Sequence, residues 1–149
     1  MKDDTVRGTS NYTVGVLTAS GTTQPIPPGA TVLCKSNGSE TVVTILEKGY
    51  ATITNSNSPY TTVAGAQILA NTTTSTITVT LPAAASTGDE VTITDAYGTF
   101  QSNNLTVDRN GLKINSGTSN LTLSNNGQSI TLVYVDATRG WAYKTNYTS

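Results

Sequence analysis

The feature that most constrains this chain is a strict period of two. Ile77, Val79 and Leu81 alternate with Thr76, Thr78 and Thr80, and Val91 and Ile93 alternate with Thr92 and Thr94. Leu105 and Val107 alternate with Thr106 and Asp108. Successive side chains of an extended strand point to opposite faces, so each pattern predicts a strand with one apolar face and one polar face. From Ile130 to Val135 both faces become apolar, which predicts a central strand or one at a subunit interface. Trp141 and Tyr143 point together near the end of the chain. Further strands are expected at Thr13 to Leu17, Ala30 to Cys34, Thr41 to Leu46 and Ala51 to Thr54. No long stretch has a helical period.

Turn chemistry punctuates the alternation. Asn37-Gly38, Asn110-Gly111 and Asn126-Gly127 are hairpin signals, because a two-residue turn of this kind needs positive φ at both positions. Thr87-Gly88-Asp89 precedes the Val91 strand, and Pro25, Pro27 and Pro28 make an extended entry that cannot continue a ladder. Asn104 to Gly111 and Asn120 to Gly127 form a short internal repeat of strand plus turn. We read it as two successive hairpins of one sheet in preference to stacked β-helix rungs. The polar run Asn71-Thr72-Thr73-Thr74-Ser75 divides the chain into an expected N-terminal β domain, 1–72, and a C-terminal β module, 73–149. Residues 1–11 are polar and read as a flexible arm.

Composition bears on how such strands are held together. Roughly one residue in five is threonine, and only 11% are charged, against about 25% in an ordinary soluble domain. Hydroxyls and amides must therefore supply the polar surface. Hydrophobic residues are 36% and aromatics 6%, a thin supply for a core. The fold expected is all-β, made of small antiparallel domains of sandwich or prism type, with copies of the chain completing the core. Leu105, Val107, Ile130, Leu132, Tyr134 and Trp141 are the candidates for a trimer interface or shared core. Cys34 is alone, so it reads as a small core hydrophobe.

The sequence is poor in catalytic chemistry. It has no histidine, which removes the commonest general base, the Ser-His and Cys-His nucleophile systems, and most zinc sites. No glycine loop has phosphate-binding spacing. Asp89 and Asp95 could be imagined as a glycosidase pair, and Asp89, Asp95 and Asp136 as calcium ligands. Their settings read instead as solvated turns and strand ends. Tyr50, Tyr60, Tyr97, Phe100, Trp141 and Tyr143 could form a sugar-binding surface, but scarce aromatics are expected in core and interface packing. No catalytic, cofactor or metal site is therefore expected. A net charge of −1 without a basic patch excludes a nucleic-acid-binding reading. The apolar runs are too short for a membrane helix, and Met1-Lys2-Asp3-Asp4 does not open a signal peptide.

A series of separated elements carries a resemblance. Leu81-Pro82, Gly88-Asp89-Glu90-Val91, Asn104-Leu105-Thr106-Val107, Asn110-Gly111 and a closing Gly140-Trp141 occur in order. Together they resemble a β module that recurs in tail fibres, head fibres and other structural proteins of tailed bacteriophages. The match covers residues 76 to about 144. The resemblance implies a trimeric, often interwoven β fold in a virion protein made in the bacterial cytoplasm, and carries over no catalytic residue. The short chain lacks coiled coils and long fibre repeats, which favours a capsid decoration or cement protein bound to the major capsid protein. Pro25, Ile26, Pro27 and Pro28 are then candidates for capsid contact. The alternative is a tail-fibre or other tail appendage subunit that contacts a host-surface glycan.

Overall fold

The computed structural model describes residues 49–148 throughout and, before them, only the backbone of four strands. These are β1 (Val16–Leu17), β2 (Thr23–Gln24), β3 (Thr31–Ser36) and β4 (Thr41–Glu47). They form two antiparallel pairs, β1 with β2 and β3 with β4. Ser36 faces Thr41, as expected of strands joined through Asn37-Gly38. That turn, the arm at 1–11 and Pro25 to Pro28 lie outside the described residues.

Nine strands follow: β5 (Tyr50–Ile53), β6 (Tyr60–Thr61), β7 (Gln67–Ala70), β8 (Ile77–Thr80), β9 (Glu90–Asp95), β10 (Leu105–Asp108), β11 (Leu121–Leu123), β12 (Ser129–Asp136) and β13 (Gly140–Tyr147). The described residues contain no α-helix, only a single 3-10 turn at Asn55–Asn57. The fold is all-β. None of its elements is a helix long and apolar enough to cross a membrane among the described residues.

The strands form a five-stranded sheet, ordered β13-β12-β9-β7-β5, and a four-stranded sheet, ordered β11-β10-β8-β6. From β5 to β10 the chain changes sheet with every strand. Each of these strands runs parallel to the one two places earlier: β5 beside β7, β7 beside β9, β6 beside β8 and β8 beside β10. The chain thus winds through three stacked coils, each giving one strand to each sheet. The last strands close the stack antiparallel, with β11 on β10, β12 on β9 and β13 on β12.

This corrects the expectation of purely antiparallel domains. One-sided alternation usually signals antiparallel pairing, because parallel sheets are mostly covered on both faces. Here the parallel strands bury one face between the sheets and expose the other. The inner face of the four-stranded sheet carries Ile77, Val79, Leu105, Val107 and Leu123; that of the five-stranded sheet carries Ile53, Ile68, Ile93, Ile130 and Leu132. All belong to one contiguous core. Burying each such side chain contributes about 1.5–3 kcal/mol.

The threonines occupy the outer faces. Cross-strand partners Thr92 and Thr131 join hydroxyls at 3.0 Å, and Thr94 joins Ser129 at 2.8 Å. Thr78, Thr80, Thr106 and Thr122 hold the corresponding outward places on the other sheet, opposite the buried positions of their strands.

Two further expectations change. The run 71–75 does not separate two sets of strands, since β7 before it pairs with β9 after it, and β6 with β8. Thr72 is fully buried, its hydroxyl bonded to that of Thr99 and its carbonyl accepting the Asn103 amide. The two copies of the internal repeat do become neighbours, with Leu105 opposite Leu123, but neither Asn-Gly turn closes a hairpin. Asn110 and Gly111 both have positive φ, 49° and 86°, as expected, and lead into the loop 109–120. At Asn126-Gly127 only Gly127 has positive φ, and the chain crosses there from β11 in one sheet to β12 in the other.

Candidate functional site

The six residues expected at a trimer interface or shared core lie inside this chain's own core. Leu105, Val107, Ile130, Leu132 and Trp141 are completely buried and Tyr134 nearly so. Among the described residues these six are therefore buried within one chain, between its two sheets. Tyr134 meets Trp141 edge to face, with centroids 5.6 Å apart. Among the described residues the buried indole N–H of Trp141 has no acceptor.

Trp141 is positioned by its neighbour. Gly140 has φ 72° and lies directly under the Lys113 carbonyl, which a Cβ would approach to 2.0 Å. That close approach lets the Trp141 N–H donate to the Lys113 carbonyl and the Trp141 carbonyl accept from the Asn115 N–H. The Gly-Trp element thereby pins the loop 109–120 to the closing strands.

The carboxylates do not form a catalytic pair. Asp89 and Asp95 sit at opposite ends of β9, six residues apart along an extended strand, or about 20 Å. Glycosidase carboxylates lie within about 10 Å of each other. Asp95 is buried, not solvated as expected. Its carboxylate accepts backbone N–H bonds from Tyr97 at 3.3 Å, Phe100 at 3.1 Å and Gly127 at 3.0 Å. Asp89 accepts the Ser86 N–H at 2.8 Å, and Asp136 the N–H groups of Thr138 and Arg139. Each carboxylate organises a turn. Asp136 lies near the Asp89 end of the sheet and far from Asp95, so the imagined calcium ligands do not converge. Among the described residues no metal-binding cluster of His, Cys, Asp or Glu occurs.

The aromatic candidates scatter similarly. Phe100 and Trp141 are buried. Tyr60 is half-buried against the core, and burial raises its phenol pKa above the ordinary 10.0. Tyr50, Tyr97 and Tyr143 are exposed but do not share a row: Tyr50 pairs with Gln67, Tyr143 pairs with the inward Leu132, and Tyr97 lies in the loop after β9.

One concave site does form, on the outer face of the five-stranded sheet. It is a shallow groove of about 220 Å³ lined by Gly65, Ala66, Gln67, Glu90, Thr92, Thr131, Lys144 and Thr145. Strand register places Tyr50, Gln67, Thr92, Thr131 and Thr145 in one row across the sheet. Lys144 enters through a β-bulge: Thr131 pairs with Thr145 and Leu132 with Tyr143, leaving Lys144 as the extra residue. Its ammonium reaches across to Glu90 at 2.6 Å. Bulges re-aim side chains in this way. Sequence reasoning identified Tyr50 and the outward Thr92 but not Gln67, Lys144, Thr145 or Tyr147. A bulge inside an otherwise regular strand leaves no mark in the sequence.

Comparison with protein-family models and with curated proteins finds no match to this chain.

Proposed function

We propose that this chain is a structural, non-catalytic component of a bacteriophage particle, and that it decorates the capsid as a cement subunit. The observation that carries the reading is what the marks of resemblance do. Leu81-Pro82 ends a strand, with the Leu81 N–H bonded to the Asp108 carbonyl and its own carbonyl accepting the Asn110 amide. Gly88 turns with φ 93° and donates to the Tyr134 carbonyl. Asn110-Gly111 supplies a left-handed turn, and Gly140 admits the Lys113 carbonyl. Each of these marks serves backbone architecture. A module defined by its scaffold suits a mechanical task.

In this reading the protein acts in the virion, as a homotrimer bound to the major capsid protein. Its own core being closed, trimer contacts would fall on other surfaces, and the N-terminal segments with Pro25, Ile26, Pro27 and Pro28 are the proposed capsid-facing part. Quantitative densitometry of purified particles tests the placement. A copy number comparable with that of the capsid subunit is expected, and a small fraction of it would overturn the cement role. Light scattering is expected to give three times the 15.5 kDa chain mass; a stable monomer at micromolar concentration would remove the trimer.

The second reading, a tail appendage subunit contacting the host surface, is favoured by one observation: the polar groove beside the exposed Tyr50. Low copy number together with loss of adsorption in particles lacking the protein would select it.

A further inference from the structure

We propose that the outer face of the five-stranded sheet binds a neutral oligosaccharide, laid across the strands between Tyr50 and Tyr147. The inference concerns the face itself and assumes neither placement in the particle.

The face is furnished for hydroxyl recognition. Tyr50 begins the row that runs through Gln67, Thr92, Thr131 and Thr145. The adjacent row runs through Leu69, Thr94 and Ser129 to Tyr147 on the far edge. Both tyrosines are strongly exposed, at 62% and 69%. Four strand spacings separate the two edges, about 19 Å, which gives room for a short glycan with an aromatic platform at either end. Aromatic rings present one apolar face and one polar tip, the combination that suits a sugar ring and its hydroxyls.

Between the platforms lie fixed polar groups with spare capacity. The Gln67 amide and the Thr145 hydroxyl have no hydrogen-bond partner among the described residues. The Thr92 and Thr131 hydroxyls share one bond at 3.0 Å, which leaves one O–H donor and several lone pairs for a ligand. Strand register and the bulge at Lys144 fix the backbone of these positions before any ligand arrives, so only side chains are ordered on binding.

The charge balance selects the ligand class. Glu90 neutralises Lys144 within the groove, so the site offers no net positive charge to a phosphate, a nucleic acid or an acidic polysaccharide. Apart from Gly65 and Ala66 the groove is lined by hydroxyl, amide and charged side chains, so it offers little to a large apolar ligand. A neutral polyhydroxylated chain matches what remains.

The test uses the full chain on an array of bacterial surface polysaccharides, neutral and acidic, followed by titration calorimetry with the best neutral hit. Binding of at least one neutral glycan is expected. Tyr50→Ala and Gln67→Ala should each weaken it at least tenfold, Tyr147→Ala at least threefold, and Tyr97→Ala and Tyr143→Ala should leave it unchanged. Raising the salt concentration should change the affinity less than twofold, because no charge is neutralised on binding. The variants lie at exposed or half-exposed positions, and unchanged unfolding midpoints would confirm that they fold. No binding to any neutral glycan overturns the proposal. So does binding confined to acidic glycans, or binding indifferent to both Tyr50→Ala and Gln67→Ala. Each of these results leaves the copy-number test of the structural reading untouched.

Discussion

The stacked coils, β5 to β10, and the closing strands, β11 to β13, share one core but are specified differently. In the coils, partners are distant in sequence and the coil lengths are unequal: Tyr50 pairs with Gln67, and Gln67 with Thr92. Little but alternation holds the register, since a slip of one residue would turn every apolar side chain outward. The closing strands rely on particular backbone devices: Gly140 beneath Lys113, the Asp136 turn and two bulges in β12–β13. A parallel stack has no tight hairpin to set its register. It depends on a terminal cap with strong local chemistry, as solenoid ends generally do.

The largest expected effect comes from breaking the cap. Gly140→Ala must both adopt φ 72° and displace the Lys113 carbonyl, and should cost about 3 kcal/mol or more. Gly88→Ala is the matched control at the start of the third coil. Its φ is 93°, but nothing lies within 4 Å of the added Cβ, so the conformational penalty alone applies, about 1–2 kcal/mol. Urea denaturation of both variants makes the comparison. Equal losses would show that the close approach under Lys113 does not matter and that the cap is no better specified than the coils.

Asp95 is the joint between the two regions. It ends β9, holds the loop that opens toward β10 through Tyr97 and Phe100, and holds the crossing from β11 to β12 through Gly127. Asp95→Ala leaves these N–H groups without their acceptor and should cost about 2–3 kcal/mol. Hydrogen exchange should accelerate at Phe100 and Gly127 together. Faster exchange at only one of them would mean that the carboxylate serves a single loop.

How far the sequence foretold this molecule follows the same division. Most strand positions were legible, because alternation of Ile, Val and Leu with Thr is a direct record of inside and outside, but β6 and β7 carry no such alternation and were not expected. Gly88 and Asn110-Gly111 were legible as turns, because few residues tolerate their backbone angles, whereas Gly140 stood out only as a mark of the resemblance. Strand order was not. Alternation records which face is buried but not which strand lies alongside, and unequal coil lengths hide the repeat that would have revealed stacking. Burial of Asp95 was missed because its three donors come from two loops that meet only in the folded chain. Of the candidate groove, Tyr50 and Thr92 could be named, but their common row depends on register.

A smaller effect tests the outer face. Thr92→Val removes a hydroxyl that bonds Thr131 across β9 and β12, the seam between coils and cap. The loss should be about 0.5 kcal/mol, and adding Thr131→Val should cost little more, since the pair acts as a unit. Fully additive losses from a double-mutant cycle would show that the hydroxyls contribute separately.

The smallest effect lies at the other end of the stack, on the exposed edge of the first coil. Tyr60 on β6 packs against the core, and burial raises its phenol pKa above 10.0. A raised folded-state value means that the native protein keeps the proton after the unfolded chain has begun to lose it. The stability this contributes is complete below the unfolded value and is lost as pH rises past it toward the folded value. The unfolding midpoint should therefore decline in the alkaline range, and Tyr60→Phe, which cannot ionise, should flatten part of that decline. If Tyr60→Phe leaves the alkaline slope unchanged, the edge strand of the first coil opens to solvent before the core does. The coils would then fray from β6 inward while the cap, three strands away in the same sheet, remains closed.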